Sequence, residues 1–235
     1  MNRNNFWFLS LCIAAGLCGL GLFLRSGLTH VADNRRTVVV RGLCEQEVEA
    51  NKVTWPIVSK EVGSYLPTIY ANLEKTNSLI LSFLKSNGIT DAEISVNPPA
   101  VIDMQADRYI SNQSPYRYIV TNVVVVTSSQ VDKVNELIKR QTELLKEGVA
   151  VVAGDYQYQT VYEYTDLNSI KPEMIAEATR NAREAAAKFA EDSDSKVGKI
   201  QSASQGQFSI EDRDQYTPYI KKIRVVSSIT YYLDD

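Results

Sequence analysis

An uncharged apolar run near the amino terminus constrains this chain more than any other feature. Phe6 to Leu24 contains 19 residues without a charged side chain. As a helix rising about 1.5 Å per residue, this run is about 28 Å long. That length is close to the hydrocarbon thickness of a bilayer and exceeds the apolar region of most cleaved signal peptides. We therefore predict an N-terminal transmembrane signal anchor within residues 1–28, followed by a polar linker over residues 29–36.

Cleavage of this segment is the alternative to an anchor, although the sequence offers no good cleavage site. A cut after Ala32 would place His30 at the third position before the cut, where a small residue is required. With the segment retained, we expect a single-pass membrane protein whose folded domain lies outside the cytoplasm. Arg25, Arg35 and Arg36 follow the run and weakly oppose this orientation, because positive charges favour the cytoplasmic side.

Beyond residue 28 the chain is moderately acidic. It carries 23 Lys and Arg residues against 28 Asp and Glu residues, a net charge of −5. A general nucleic-acid binder carries a surplus of basic residues, so we predict no nucleic-acid partner. The remaining residues, about 207, are enough for one large or two small domains with apolar cores.

Hydrophobic periodicity predicts an α+β fold for residues 37–235. Stretches rich in β-branched or alternating apolar residues are typical of strands, and apolar residues spaced by three and four are typical of helices. Strands are expected at residues 37–43, 45–62, 93–97, 116–127, 149–164, 199–210 and 219–233. Three main helices are expected between Ser64 and Asn87, between Ser129 and Gly148, and from Ser169 to Glu191. The order ββα–ββα–βα–ββ indicates long antiparallel strands with helices on one face.

Polar residues and glycines mark the expected helix ends. Ser64 is expected to cap the first helix, and Ser129 with Asp132 is expected to form a capping box on the second. Gly88 and Gly148 are expected to end these two helices. The third helix is rich in alanine, which would let it lie close to a sheet. Its expected contact stripe consists of Met174, Ala178, Ala182, Ala185 and Phe189.

Four tyrosines are the most unusual group in the sequence. Tyr156, Tyr158, Tyr162 and Tyr164 would share one face if residues 149–164 formed a single strand. Rings with polar hydroxyls can pack beneath a helix, form a subunit contact or bind a ligand such as a glycan. We therefore regard the four as possible interface residues, with packing in the core as the alternative.

No recognisable catalytic motif occurs in the sequence. CxxC, HExxH and GxSxG are missing, and no phosphate-binding loop is present. His30 is the single histidine and falls in the linker, and Cys44 is the single cysteine beyond the apolar run, which favours a buried structural thiol. The acidic groups at residues 191–194 and 211–214 lack the spacing of a calcium loop. We predict no catalytic residues, no cofactor and no metal ion.

Five stretches of this chain, taken in order, resemble one known domain. They are TVVVRGLCEQEVEANKVTW, LILSFLKSNGITDAEISV, YRYIVTNVVVVTSSQVDKVNELI, EATRNAREAAAKFAEDSDSKVGKI and RVVSSITYYL. Their order and spacing over residues 37–233 resemble the SIMPL domain of periplasmic immunogenic and oxidative-stress-defence proteins of Gram-negative bacteria. Asn51-Lys52 and the acidic Asp192–Ser195 depart from the pattern of that family. The resemblance implies an α+β fold, export from the cytoplasm and, for at least some members of the family, large ring- or barrel-like assemblies. It implies no catalytic residues.

These observations lead to two function hypotheses. The first is a membrane-anchored, non-enzymatic cell-envelope protein that acts through self-assembly or partner binding, in envelope or oxidative-stress defence. It would be a single-pass protein of the inner membrane, held there by residues 6–24, with its folded domain in the periplasm and other copies of itself as partners. The alternative is an envelope hydrolase or ligand-binding protein with a carboxylate-lined site.

Overall fold

The computed structural model describes residues 13–25, 27, 36–106, 115–152 and 156–234. Residues 13–25 form helix α1. Within these ranges no helix combines the length and the apolar character that crossing a bilayer requires. Residues 6–12, which begin the expected membrane span, lie outside the described ranges, and so do His30 and almost all of the expected linker.

The described residues form two compact units, each assembled from separate stretches of the chain. The α5 unit comprises the described residues of Met1–Gln46, Asn168–Ser209 and Ile223–Asp235, and it contains nearly all of helix α5 (Leu167–Asp192). The α2 unit comprises those of Glu47–Leu167 and Ile210–Lys222, and it contains helix α2 (Leu66–Ser86). Mixed helices and antiparallel strands confirm the α+β class.

The sheet of the α5 unit has its last strand in the middle. Its path is β1-β9-β7, formed by β1 (Thr37–Glu49), β9 (Ile220–Asp234) and β7 (Lys196–Gln205); β8 (Ser209–Asp212) also pairs with β9. Alternate residues of β1 are buried, among them Val38, Val40 and Cys44. The alternation places one face of β1 in the core and leaves the other uncovered.

Helix α5 packs through a row of small residues that are spaced by four. Its buried residues are Met174, Ala178, Ala182, Ala186 and Ala190. The expected stripe was therefore wrong in its second half, since Ala185 and Phe189 are exposed. Residues spaced by four lie along a single ridge of a helix. Ala185 follows Ala182 by three positions and therefore lies off the ridge that packs on the sheet.

The α2 unit is organised around two long central strands. β2 (Lys52–Gly63) and β5 (Tyr118–Ser128) pair antiparallel along their whole length, from Val53 opposite Ser128 to Gly63 opposite Tyr118. Short strands extend the sheet: β3 (Ile94–Val96) and β4 (Ala100–Asp103) pair with the far side of β5, and β6 (Val161–Glu163) pairs with β2. The other two helices of this unit are α3 (Val131–Arg140) and α4 (Thr142–Lys146).

The core of the α2 unit contains branched side chains from both central strands and from the helices. Fully buried members include Val53, Ile57, Ile80, Leu84, Val124, Val126 and Val134. Burial of each such side chain contributes about 1.5–3 kcal/mol to folding. The run of valines in β5 is buried almost continuously, as expected for a strand covered on both faces.

The glycines that end helices were predicted correctly, and the helix starts were not. The second expected helix is divided at Gln141 into α3 and α4, so that Gly148 follows α4. Gly88 and Gly148 have φ of 78° and 89°, the left-handed conformation that ends a helix at little cost for glycine. The residue before α2 is Tyr65, not Ser64, and the residue before α3 is Gln130; neither side chain caps its helix. No capping box forms at Ser129, because α3 begins one residue later than expected. The Ser128 hydroxyl instead accepts the Gln130 N–H at 3.0 Å.

Glu93 ties the short strand β3 to the end of β5. Its carboxylate accepts hydrogen bonds from the Ser128 hydroxyl at 2.5 Å and from the Thr90 N–H at 2.9 Å. These bonds, that of Ser128 first, lower the pKa of Glu93 from 4.5 to about 2. The ionised carboxylate is therefore part of the fold at neutral pH.

Residues 149–164 do not form the single strand that alternation predicted. Val151 makes one isolated bridge to Ser59, Tyr156–Tyr158 form a 3-10 turn, and regular pairing is limited to Val161–Glu163 of β6. Alternation places residues on one face only where a neighbouring strand holds the backbone extended. Here β2 offers β6 pairing partners over three residues only.

Candidate functional site

Tyr162 is a core residue rather than part of an exposed ladder. Its side chain is buried, its hydroxyl donates to Asn135 Oδ1 at 2.5 Å, and its ring meets Tyr219 edge to face at 6.2 Å. Burial raises the pKa of this hydroxyl. Inside the α2 unit the ring of Tyr162 is therefore buried, and its hydroxyl has a hydrogen-bond partner.

The other three tyrosines are more exposed than Tyr162. Tyr156 is 87% exposed, while Tyr158 and Tyr164 are half-buried. The structure thus separates the four predicted interface residues by environment. Tyr156 has the exposure that an interface anchor needs, and Tyr162 does not.

Cys44 lies beneath α5 with its thiol held by a carboxylate. The side chain is buried, and the thiol donates a hydrogen bond to Glu177 Oε2 at 3.2 Å. Burial, followed by this hydrogen bond, raises the pKa of Cys44 to about 11. A thiol that stays protonated at neutral pH is a poor nucleophile, which agrees with the structural role expected for it.

The acidic groups noted in the sequence bond to local partners. Glu191 and Asp192 contact Lys188, and Asp212 contacts Lys221. Asp214 accepts hydrogen bonds from neighbouring groups in its own turn, led by the Thr217 hydroxyl, and these lower its pKa to about 2. In the part of the chain that the structure describes, no three His, Cys, Asp or Glu side chains converge to hold a metal ion.

An apolar groove lies at the edge of the α2 unit's sheet, where α2 begins above β4. Its volume is about 380 Å³. It is lined by Leu66, Pro67, Ile69, Tyr70, Leu73, Pro99, Val101 and Val120. The base is buried, since Ile69, Leu73 and Val120 are each 3% exposed, whereas the rim residues Tyr70 and Val101 are more than half exposed. Exposed apolar surface of this kind is typical of a binding site.

Sequence reasoning missed this groove because its two walls are about thirty residues apart in the chain. Two signals were present. Tyr70 adds an aromatic ring outside the regular core stripe of α2, and Val101 with Ile102 gives two consecutive apolar residues in β4, both exposed. A strand that exposes apolar side chains on both faces has surface left to cover.

Helix-covered antiparallel sheets place this chain in the α+β class, and the apolar groove is a distinctive feature of its α2 unit. Residues 38–226 match the model of the SIMPL family, described as a protein of unknown function (DUF541). The match spans most of the chain, so the chain belongs to the SIMPL family, as the sequence motifs predicted. A search of curated proteins gave no match.

Proposed function

We propose that this chain is a non-enzymatic protein of the cell envelope that works by assembling with other copies of itself and by binding partners. The observation that carries the proposal is the uncovered face of β1 in the α5 unit. Val39 is 68% exposed and Leu43 is 39% exposed on that face, and Arg41 lies between them. Apolar residues on an open sheet face favour burial against a second chain.

The position of β1 supports the same proposal. It is the outer strand of its sheet path, so one of its two edges faces away from β9. On that strand the Leu43 carbonyl accepts a hydrogen bond from Asn181 Nδ2 at 2.8 Å, which occupies one acceptor. A cap of this kind limits open-ended strand pairing. Assembly is therefore expected to use the apolar face more than a continuous edge.

Crosslinking within the native membrane tests self-assembly. All natural cysteines are replaced by serine, and Val39→Cys is compared with Arg183→Cys, an exposed position on the outer side of α5. Oxidation is expected to give a disulfide-linked dimer with Val39→Cys and monomer with Arg183→Cys. In addition, Val39→Asp should reduce the sedimentation coefficient of the detergent-solubilised full chain. A monomeric wild-type chain at high concentration would contradict self-assembly.

We further propose that residues 6–24 anchor the chain in the inner membrane with the folded domain in the periplasm. The support is the uncharged run together with the export from the cytoplasm that the family resemblance implies. Asn34→Cys in a Cys44→Ser background should react with an impermeant maleimide in cells whose outer membrane alone is permeabilised. Labelling only after the inner membrane is broken would reverse the proposed orientation.

A role in envelope or oxidative-stress defence is the physiological part of the proposal, and it rests on the family resemblance. Deletion of the gene is expected to lower survival in peroxide or in detergent, with rescue by the wild-type chain. Because Cys44 is buried and protonated, Cys44→Ser is expected to rescue as well. Normal survival of the deletion strain in both stresses would remove this role.

One cleft allows a test of the alternative function, a hydrolase or ligand-binding protein with a carboxylate-lined site. Glu49 and Asp132 both line a cleft of about 500 Å³ beside Tyr219 in the α2 unit, and both acids are exposed to solvent. Glu49→Gln and Asp132→Asn should leave in-cell function unchanged if the chain works by binding at its other surfaces. Loss of function in either variant, at normal protein level, would favour the site in this cleft.

A further inference from the structure

We propose that the groove between α2 and β4 binds a short extended peptide with apolar side chains at alternate positions, which joins the sheet as an added strand beside β4. This inference deepens the partner-binding role proposed above and rests on it. It uses the α2 unit, whereas self-assembly was assigned to β1 of the α5 unit.

Unpaired main-chain groups of β4 provide the first argument. The Met104 N–H donates to the Arg117 carbonyl at 2.8 Å, which marks a hydrogen-bonded pair of the antiparallel ladder. Such pairs recur at every second residue, so Ile102 is bonded to β5 as well. Val101 then directs its N–H and C=O to the outer side, where no described residue bonds to them. An extended backbone can satisfy both groups at once.

The groove itself provides the second argument. Val101 contributes its side chain to the groove on the α2 side of β4, opposite the buried Val120. A strand added beside β4 would therefore direct every second side chain beneath the first turns of α2, against Leu66 and Tyr70. The lining is apolar apart from the tyrosine hydroxyl. Apolar residues at alternate positions are the pattern that fits.

The form of this edge selects a short segment rather than a long strand of a second copy. Pro98 and Pro99 precede β4 and have no N–H to donate. Between Val96 and Ala100 the pairing with β5 also shifts by one residue, which bends the edge. At the other end, Asp103 is held by Arg117 at 2.8 Å. Pairing is thus limited to about four residues.

Peptide binding tests the proposal on the full chain. The protein is placed in lipid nanodiscs, and the probe is a fluorescein-labelled hexapeptide of alternating leucine and threonine. Fluorescence anisotropy, corrected with empty nanodiscs, should give saturable binding. Tyr70→Asp and Val101→Pro should weaken binding at least tenfold, because the first places a charge in the groove and the second removes the outward N–H. The matched control, Asn72→Asp, adds the same charge elsewhere on α2 and should bind within twofold of wild type.

A second probe separates strand addition from simple hydrophobic capture. N-methylation of the peptide amides at one set of alternate positions should abolish binding, and N-methylation of the other set should be tolerated. Equal binding of both methylated peptides, equal binding of all protein variants or no saturable binding by wild type would each overturn the proposal. Val39→Asp, which tests self-assembly, should leave the peptide affinity unchanged, so failure of the proposed self-assembly remains distinguishable.

Discussion

Gly42 is the point where the backbone of β1 comes closest to α5. A Cβ atom added there would lie 1.8 Å from the Ala178 carbonyl oxygen and 2.5 Å from the Ala182 nitrogen. Both neighbours are helix backbone, and both alanines are fully buried. Neither neighbour can rotate away as a side chain could. We therefore expect Gly42→Ala to destabilise the protein by displacing the helix.

The size of the effect follows from the distances. A carbon–oxygen contact needs about 3.3 Å, so α5 must retreat by about 1.5 Å at this point. A gap of that size forfeits more than half of the dispersion attraction along the contact. Overpacking of this kind costs about 3 kcal/mol, and the smaller entropy of an unfolded alanine chain offsets about 0.5 kcal/mol. The net loss should lower the melting temperature by about 5–10 °C.

Urea and thermal unfolding of the full chain, followed by far-ultraviolet circular dichroism, measure this loss. Gly198→Ala is the matched control, because it makes the same change in β7 of the same sheet. A Cβ at Gly198 meets only the Asp234 carboxylate, at 2.8 Å, which can rotate away. The control should lie within about 1 kcal/mol of wild type. Equal stability of the two variants would show that α5 does not lie on β1 as described.

Three further changes probe other parts of the fold. Because the folded-state pKa of Glu93 is depressed, its stabilisation is present above pH 4.5 and is lost as the pH falls towards 2. Glu93→Gln should therefore cost about 1–2 kcal/mol in urea unfolding at neutral pH and progressively less in acid. Tyr162→Phe should cost about 1 kcal/mol in thermal unfolding, and Tyr156→Phe should have no effect. With the other two cysteines replaced by serine, Cys44 should react with a disulfide reagent at mildly alkaline pH only when the protein is unfolded.

Each of these three predictions would be contradicted by a specific result. Glu136→Gln removes an exposed carboxylate of α3 and should not alter stability at either pH. A cost of Glu93→Gln that does not change with pH would mean that the charge of the carboxylate is not what stabilises the fold. Equal effects at the two tyrosines would contradict the burial of Tyr162, and rapid labelling of native Cys44 would contradict its position beneath α5.

The local sequence pattern was sufficient to predict those elements whose structure is decided by a single interaction. The valine-rich stretch of β5 and the alternating stretch of β9 predicted strands. Burial on both faces of a strand requires a continuous apolar run, and burial on one face requires alternation, so both can be read from the sequence. Gly88 and Gly148 predicted helix ends, because the left-handed conformation is a property of the residue itself. Most of the order of helices and strands, and with it the α+β class, followed from these signals. Strand β4, the division of residues 199–210 between β7 and β8, and the break between α3 and α4 did not.

Other features depended on neighbours that the sequence does not place. Alternation suggested a tyrosine ladder, but the short pairing of β6 with β2 keeps only Tyr162 in a strand position. The groove arises where α2 passes above β4, and no local pattern reports a contact between distant segments. The starts of α2 and α3 were misplaced by one residue. A serine near a helix boundary can form a hydrogen bond within a turn as readily as it can cap the helix.

The placement of β9 has a consequence for how the protein is made. The central strand of the α5 unit's sheet, β9, is synthesised about 170 residues after its neighbour β1. At the usual speed of translation, β1 waits about 10 to 40 s before its partner emerges from the ribosome. Until then β1 has no strand to pair with, and its valines are available to chaperones. A chain built in this order cannot complete the sheet of its α5 unit until β9 has been synthesised.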